Sequence, residues 1–131
     1  MQFMCSEENI KKLRDIKERI AYILELCNEM GIVKALKDVK EKQPAIVMHL
    51  IVINENLQKL QDSFDINMTD IFTKEDIRGL KAIRNIASHD YEGLNLEIIE
   101  DVIRFKLPPI QVKIDEFLAH TSSKIKKYSR K

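Results

Sequence analysis

The spacing of apolar residues along the 131-residue chain predicts long amphipathic helices. Ser6 suits a helix N-cap, and Glu7 and Glu8 place negative charge at the positive end of the helix dipole. Apolar residues then recur every three or four positions over about six turns, at Ile10, Leu13, Ile16, Ile20, Ile23, Cys27 and Met30. Gly31 marks the end of this first predicted helix.

Two further stripes predict a second and a third helix. Pro44 suits a first helical turn, and it precedes apolar residues at helical spacing: Ile46, Leu50, Ile53, Leu57 and Leu60. Residues 32–43 are predicted to form a short helix or a connection. Residues 62–76 are predicted to form a loop in which Thr73 caps the third helix, whose core face would hold Ile77, Leu80, Ile83 and Ala87.

A fourth helix follows the turn predicted at Gly93 and Asn95, with its apolar stripe at Leu96, Ile99, Ile103 and Leu107. It must bend or restart at Pro108-Pro109, because proline cannot donate a backbone hydrogen bond. Four or five helices with short connections favour an all-α fold, an up-and-down bundle. We assign residues 1–120 to this bundle and residues 121–131 to a basic, flexible tail.

The composition agrees with a helical bundle, and it also bears on whether the protein is bound to a membrane or secreted. The chain is 44% hydrophobic and 33% charged, and it has only three Gly and three Pro. No apolar run approaches the roughly 20 residues that cross a bilayer, and the first residues do not have the pattern of a secretion signal. Cys5 and Cys27 form no zinc-binding pattern, so we predict free thiols in a cytoplasmic protein.

The net charge of +1 conceals an asymmetry. Five of the 22 basic residues lie in the last eleven positions, which leaves 17 basic against 21 acidic residues, or about −4, for residues 1–120. The basic tail either contacts RNA phosphates or is simply solvated. The body is not basic enough to bind nucleic acid by charge alone.

Residues 83–94, IRNIASHDYEGL, differ from the rest of the chain because six polar or titratable residues crowd together: Arg84, Asn85, Ser88, His89, Asp90 and Tyr91. On one helix Asn85 and His89 would share a face, whereas Arg84 would point about 140° away from His89. A two-fold axis would solve this geometry, because one protomer's Arg84 could approach the other's His89.

The spacing alone leaves two interpretations of this cluster open. In the first, His89 moves protons and Arg84 stabilises a phosphoryl group, which together would cleave RNA without metal by attack of its own 2′-OH. In the second, the segment is a capped helix end, where His89 binds a last carbonyl and Arg84 pairs with Asp90.

Residues 77–118 closely resemble the C-terminal half of HepT-like proteins of the HEPN superfamily. The matching positions are the Arg-x4-His-x-Tyr motif, the following turn and a Leu-Pro-Pro, here Arg84-Asn85, His89, Tyr91, Gly93 and Leu107-Pro108-Pro109. Residues 53–60, INENLQKL, resemble the family's second-helix segment, with Glu55 at its acidic position. The likeness covers most of residues 6–118.

The resemblance implies a HEPN-type homodimer whose two motifs face each other across a cleft. It also implies a ribonuclease toxin of a type II-like toxin–antitoxin module, whose minimal nucleotidyltransferase antitoxin transfers AMP to Tyr91. The catalytic residues would be Arg84 and His89, supported by Asn85, Asp90 and Glu55. The RNA target, a tRNA end or a messenger, stays open.

Alternatives remain for the supporting residues and for the function. Asp90 either tunes His89 or solvates the turn, and Glu55 either orients Arg84 or covers the polar side of its own helix. The carboxylates form no metal-ligand pattern, so we predict no metal and no cofactor. The acidic body favours a second function, a non-catalytic helical partner that binds substrate for a nucleotidyltransferase.

Overall fold

Helices dominate the computed structural model, which describes residues 6–88 and 95–129, with side chains as far as residue 121. The elements are α1 (Glu7–Met30), α2 (Ile32–Lys37), α3 (Lys42–Gln61), α4 (Met68–Ile71), α5 (Lys74–Ala87), α6 (Leu96–Asp101), a π-helical turn (Val102–Lys106) and α7 (Leu107–Ser129). The described residues contain no strand, which confirms the predicted all-α bundle. None of the helices in these ranges is long and apolar enough to cross a membrane.

Helices α1 and α3 pack against each other in opposite directions. At one end, the Asn9 side-chain amide donates a hydrogen bond of 2.7 Å to Ser63, directly after α3. Farther along, Arg19 Nη1 lies 3.1 Å from His49 Nδ1, in the first half of α3. The contacts thus move backward along α3 as α1 proceeds, as expected for neighbours joined by a short connection.

Helix α7 covers a second side of α1, also in the antiparallel direction. Lys17 forms an ion pair of 2.6 Å with Asp115, whereas Cys27, ten positions later in α1, lines one groove together with Arg104. Helix α1 therefore lies between α3 and α7. Because α7 continues beyond residue 120, the predicted boundary between bundle and tail falls within a helix, and that boundary stays a prediction.

Most of the core comes from the predicted apolar stripes, although on α5 Ile77 and Ala87 are only partly buried and Ile86, outside the predicted stripe, is buried. All five stripe residues of α3 are buried, as are the α1 stripe residues from Ile10 to Cys27. Met30, which we also placed on that stripe, is 40% exposed. It is the last residue of α1, where the chain turns away at Gly31 with φ of +90°, a conformation that favours glycine.

Local hydrogen bonds fix where α5 begins. The Thr73 hydroxyl accepts from the Asp76 backbone N–H at 3.1 Å, and the Asp76 carboxylate accepts from the Thr73 N–H at 3.0 Å. This reciprocal capping box satisfies amides that the first turn leaves unpaired. The predicted cap at Thr73 is thereby confirmed.

The structure corrects the loop predicted for residues 62–76, because α4 lies within it. The Asn67 side chain accepts a hydrogen bond of 3.0 Å from the Thr69 N–H and starts this single turn. Ile71 and Phe72 at its end are buried. A four-residue helix is too short for its apolar spacing to repeat, so periodicity could not reveal it.

The prolines at 108 and 109 widen the last long helix instead of ending it. The missing N–H groups of Pro108 and Pro109 would have bonded to the carbonyls of Arg104 and Phe105. The preceding turn is π-helical, and the Leu107 N–H donates to the Val102 carbonyl. The predicted restart is therefore a local widening, after which α7 continues.

The partly buried position of His49 predicts that the protein becomes less stable as the pH falls. Burial lowers the pKa of His49, the Arg19 guanidinium lowers it further, and Asp15 opposes both. Arginine is only a donor, so His49 Nδ1 accepts the Arg19 hydrogen bond as a neutral ring. As pH falls through the ordinary histidine pKa of about 6.5, the unfolded chain binds a proton before the folded protein does, which favours unfolding.

We therefore expect the free energy of unfolding to fall between about pH 7 and pH 5 more steeply in wild type than in His49→Gln, which keeps an acceptor without titrating. Urea denaturation at successive pH values measures this difference. His120→Gln, at an exposed position, is the control and should follow wild type. Equal pH slopes for wild type and His49→Gln would show that His49 does not cause the pH dependence of stability.

Candidate active site

Arg84 and Asn85 lie in the last turn of α5, and both side chains are exposed. Their neighbours Ile83 and Ile86 are buried in the core, at 0% and 5% exposure. Since adjacent positions on a helix differ by about 100°, burial of these two isoleucines directs Arg84 and Asn85 to the surface. The amphipathic pattern of α5 thus presents both motif residues to solvent.

Ser88 ends the helix immediately after these residues. Its backbone N–H donates to the Arg84 carbonyl at 3.1 Å, and its hydroxyl donates to the Asn85 carbonyl at 3.0 Å. These bonds satisfy two of the carbonyl groups that a helix end leaves unpaired. Helix α5 therefore ends before His89, whereas the angle of about 140° between Arg84 and His89 holds only for a helix that continues.

His89, Asp90 and Tyr91 lie outside the described residues. Their predicted roles in proton transfer, in tuning the histidine and as the modified tyrosine therefore stay predictions, and so does the turn at Gly93. The structure reaches Asn95, whose side chain accepts hydrogen bonds from the backbone N–H groups of Glu97 and Ile98 and caps α6.

Glu55 lies on α3, exposed between the buried residues Ile53 and Leu57. Within the described ranges, no hydrogen bond or ion pair joins Glu55 to Arg84. In the described part of the monomer, these two predicted site residues are thus not directly bonded to each other. Whether Glu55 orients the guanidinium stays a prediction.

The placement of Arg84 suits recognition of an anion. A cation in the last turn of a helix is favoured by the helix dipole, which helps to stabilise the guanidinium there. The guanidinium offers five N–H donors in a planar fork that matches the oxygens of a phosphate. An exposed arginine held at a helix end can therefore bind a phosphodiester group.

Other chemical groups of the described residues give no competing catalytic centre. No cluster of three or more His, Cys, Asp or Glu residues occurs within the described ranges. Burial raises the pKa of the Cys27 thiol, while nearby Arg104 partly lowers it. A thiol with a raised pKa is a poor nucleophile at neutral pH.

An open groove of about 960 Å³ runs beside α1 and is lined by Tyr22, Cys27, Arg104 and Gln111, among others. Its lining residues belong to α1, to the start of α2 and to the helix that follows α6, and none comes from α5. The groove is therefore separate from the exposed end of α5. Arg84 and Asn85 are exposed at the end of α5 and do not line this groove.

Two comparisons with known proteins both find similarity to ribonucleases. A family model described as "Ribonuclease HepT-like" matches residues 16–117. A curated protein of Methanocaldococcus jannaschii, named as a candidate RNase, is 33% identical over 106 residues, which cover 81% of this chain and 84% of the relative. No solved structure matches significantly. The family match spans every site residue predicted from the sequence, from Glu55 to Tyr91.

The exposure of Arg84 and Asn85 predicts that neither contributes much to stability. We expect Arg84→Ala and Asn85→Ala to change the free energy of unfolding by less than about 0.5 kcal/mol, as is usual for surface positions. Ile83→Ala, one position away but fully buried, should lose roughly 2 to 5 kcal/mol. Urea denaturation measures all three, and a large loss in Arg84→Ala would indicate a structural role instead.

Proposed function

The chain belongs to the HepT-like ribonuclease family, and from this premise we propose that it is a metal-independent endoribonuclease that uses Arg84 and His89. The observation that carries the proposal is the exposed pair Arg84 and Asn85 at the end of α5, in an unbroken motif with His89 and Tyr91. Two groups suffice for this chemistry, one that transfers protons and one that stabilises negative charge.

In the proposed reaction, the ribose 2′-oxygen forms a bond to the adjacent phosphorus while the bond from phosphorus to the 5′-oxygen breaks. His89 removes the proton from the 2′-OH and supplies a proton to the leaving 5′-oxygen. The products are a 2′,3′-cyclic phosphate and a 5′-hydroxyl end. Arg84 donates hydrogen bonds to the non-bridging oxygens, whose negative charge increases in the transition state.

We further propose that two protomers complete the site. The Arg84 of one protomer would face the partner's His89 across a cleft, because the Arg84 side chain points away from its own core. Asn85 would help to hold the scissile phosphate, and Asp90 and Glu55 would tune or orient the catalytic pair. A symmetric dimer would contain two such sites, each built from both chains.

The family also supports a proposal for regulation. The chain would be the toxin of a cytoplasmic toxin–antitoxin module, and a minimal nucleotidyltransferase would silence it. The Tyr91 oxygen would form a bond to the α-phosphorus of ATP, with pyrophosphate as the leaving group. The added AMP would bring negative charge into the cleft that must receive RNA phosphate.

A second function is favoured by the negative charge of about −4 on residues 1–120. An acidic body does not attract RNA over long distances. In this alternative, the chain is a non-catalytic helical partner that binds substrate for a nucleotidyltransferase, and Arg84 serves recognition only.

Purified protein without its partner should cleave RNA in the presence of EDTA. Arg84→Ala and His89→Ala should each lower the cleavage rate by at least about 100-fold. Arg14→Ala is the matched control, since Arg14 is exposed on α1, and it should retain full activity. Wild-type protein that leaves RNA intact, with normal growth of cells that express it alone, would favour the non-catalytic alternative.

Co-expression with a minimal nucleotidyltransferase of the proposed module should add whole AMP units to the protein, seen by intact mass spectrometry. Tyr91→Phe should abolish the addition, because it removes only the acceptor hydroxyl. Tyr22→Phe is the control, since Tyr22 is 49% exposed on α1, and it should be modified like wild type. AMP retained in Tyr91→Phe would place the modification elsewhere.

A further inference from the structure

The surface of α5 that leads to Arg84 carries three cations, and we propose that it binds the backbone of single-stranded RNA and directs it to the motif. This α5 basic face consists of Lys74, Arg78 and Lys81, all exposed. The inference rests on the proposed ribonuclease function and extends it, because it assigns residues outside the motif to substrate binding.

Helical geometry places the three cations in one row. At about 100° per residue, positions 74, 78 and 81 fall within a sector of about 60°. Asn85 falls inside the same sector, and Arg84 lies about 60° outside its edge. The buried residues of α5 occupy the opposite side, which includes Gly79, Leu80, Ile83 and Ile86. The row therefore points directly away from the core and ends at the motif.

The cations of this face are available to a ligand. The Arg78 side chain is 74% exposed, and its ion pair with Glu75, at 3.5 Å, joins two exposed groups. Such pairs contribute at most about 1 kcal/mol and are easily exchanged. The other oxygen of Glu75 accepts a hydrogen bond of 3.1 Å from Lys106, which directs part of its charge away from Arg78.

The row contains three cations and has one exposed acid at its edge, Glu75, which pairs with Arg78. Surface helices usually mix both signs of charge, as α1 does, where Arg19 pairs with Asp15 at 2.9 Å. On α5, Asp76 is buried in the capping box, and Glu75 lies about 60° outside the row and shares its charge between Arg78 and Lys106. A row of cations on a body of net negative charge is therefore a local feature.

The dimensions fit a single strand of nucleic acid. Lys74 and Lys81 are separated by about 10 Å along the helix axis, and Arg84 lies about 5 Å farther on. A single row of cations can follow one phosphate backbone, as in proteins that bind single strands through a basic track. Phosphates held along this row would deliver the next phosphodiester group to the Arg84 guanidinium.

The first test measures binding of a fluorescent single-stranded RNA to His89→Ala protein, which should leave the RNA intact. The triple variant Lys74→Gln, Arg78→Gln, Lys81→Gln should bind at least about 10-fold more weakly, and its logarithmic salt slope should fall by about 2, since each phosphate contact in a single strand contributes about 0.7. Neutral substitutions at exposed positions should leave the fold intact.

A second triple variant supplies the matched control, with the same change of charge: Lys11→Gln, Arg14→Gln, Lys59→Gln. These residues are exposed on α1 and α3, and none forms an ion pair within the described ranges. The control should bind RNA within about twofold of its parent. An equal loss in both triples, no loss in either, or no binding by the parent would overturn the proposal.

Cleavage by protein with His89 intact separates this proposal from the ribonuclease itself. In that background, the α5 triple should raise KM for RNA and leave kcat at saturating RNA unchanged. If wild type cleaves RNA and the α5 triple has the same KM as the control triple, the proposed role of the basic face is wrong and the proposed ribonuclease activity is supported. If wild type does not cleave RNA but the α5 triple still loses RNA affinity, the proposed ribonuclease activity is wrong and the proposed RNA-binding face is supported.

Discussion

Burial of one side of α5 is the constraint on which the candidate site depends. Ile83 and Ile86 are packed into the core. Helical geometry therefore directs the side chains of Arg84 and Asn85 toward solvent. A rotation of α5 by one position would bury the guanidinium without a partner and expose Ile83. Burial of an unpaired charge costs several kcal/mol, so core packing directs the arginine to the surface.

Contacts at the start and in the middle of α5 also hold the helix in this orientation. The capping box at Thr73 fixes where the helix begins, and the lack of a side chain at Gly79 allows close approach to the π-helical turn. A Cβ atom at Gly79 would lie 3.1 Å from the Lys106 Cβ, which is tighter than ordinary packing. The turn that contains Lys106 is widened because Pro108 and Pro109 cannot donate hydrogen bonds. Prolines distant in sequence thus shape the surface that supports the motif helix.

Apolar periodicity predicted the long helices and their buried faces because each stripe repeats over several turns. It failed for α4, which is shorter than one repeat, and it could not tell a break at Pro108-Pro109 from a widened turn. The sequence placed Arg84 and Asn85 on the third helix, as observed, but it left open where that helix ends. The distance between Glu55 and Arg84 depends on how α3 and α5 are placed, and a site shared between protomers depends on a second chain, so neither follows from local spacing.

The proposed functions together explain how a protein with a negatively charged body would bind RNA. A body with a charge of about −4 repels phosphate at long range, so a local group of cations is needed there, and the α5 basic face supplies one that leads to Arg84. The same arrangement makes the site sensitive to a small change of charge. An AMP group on Tyr91, seven positions after Arg84, would set a phosphate where the bound strand should place its own. One modification could then compete with substrate for the cation that stabilises the transition state, and no change of fold would be required.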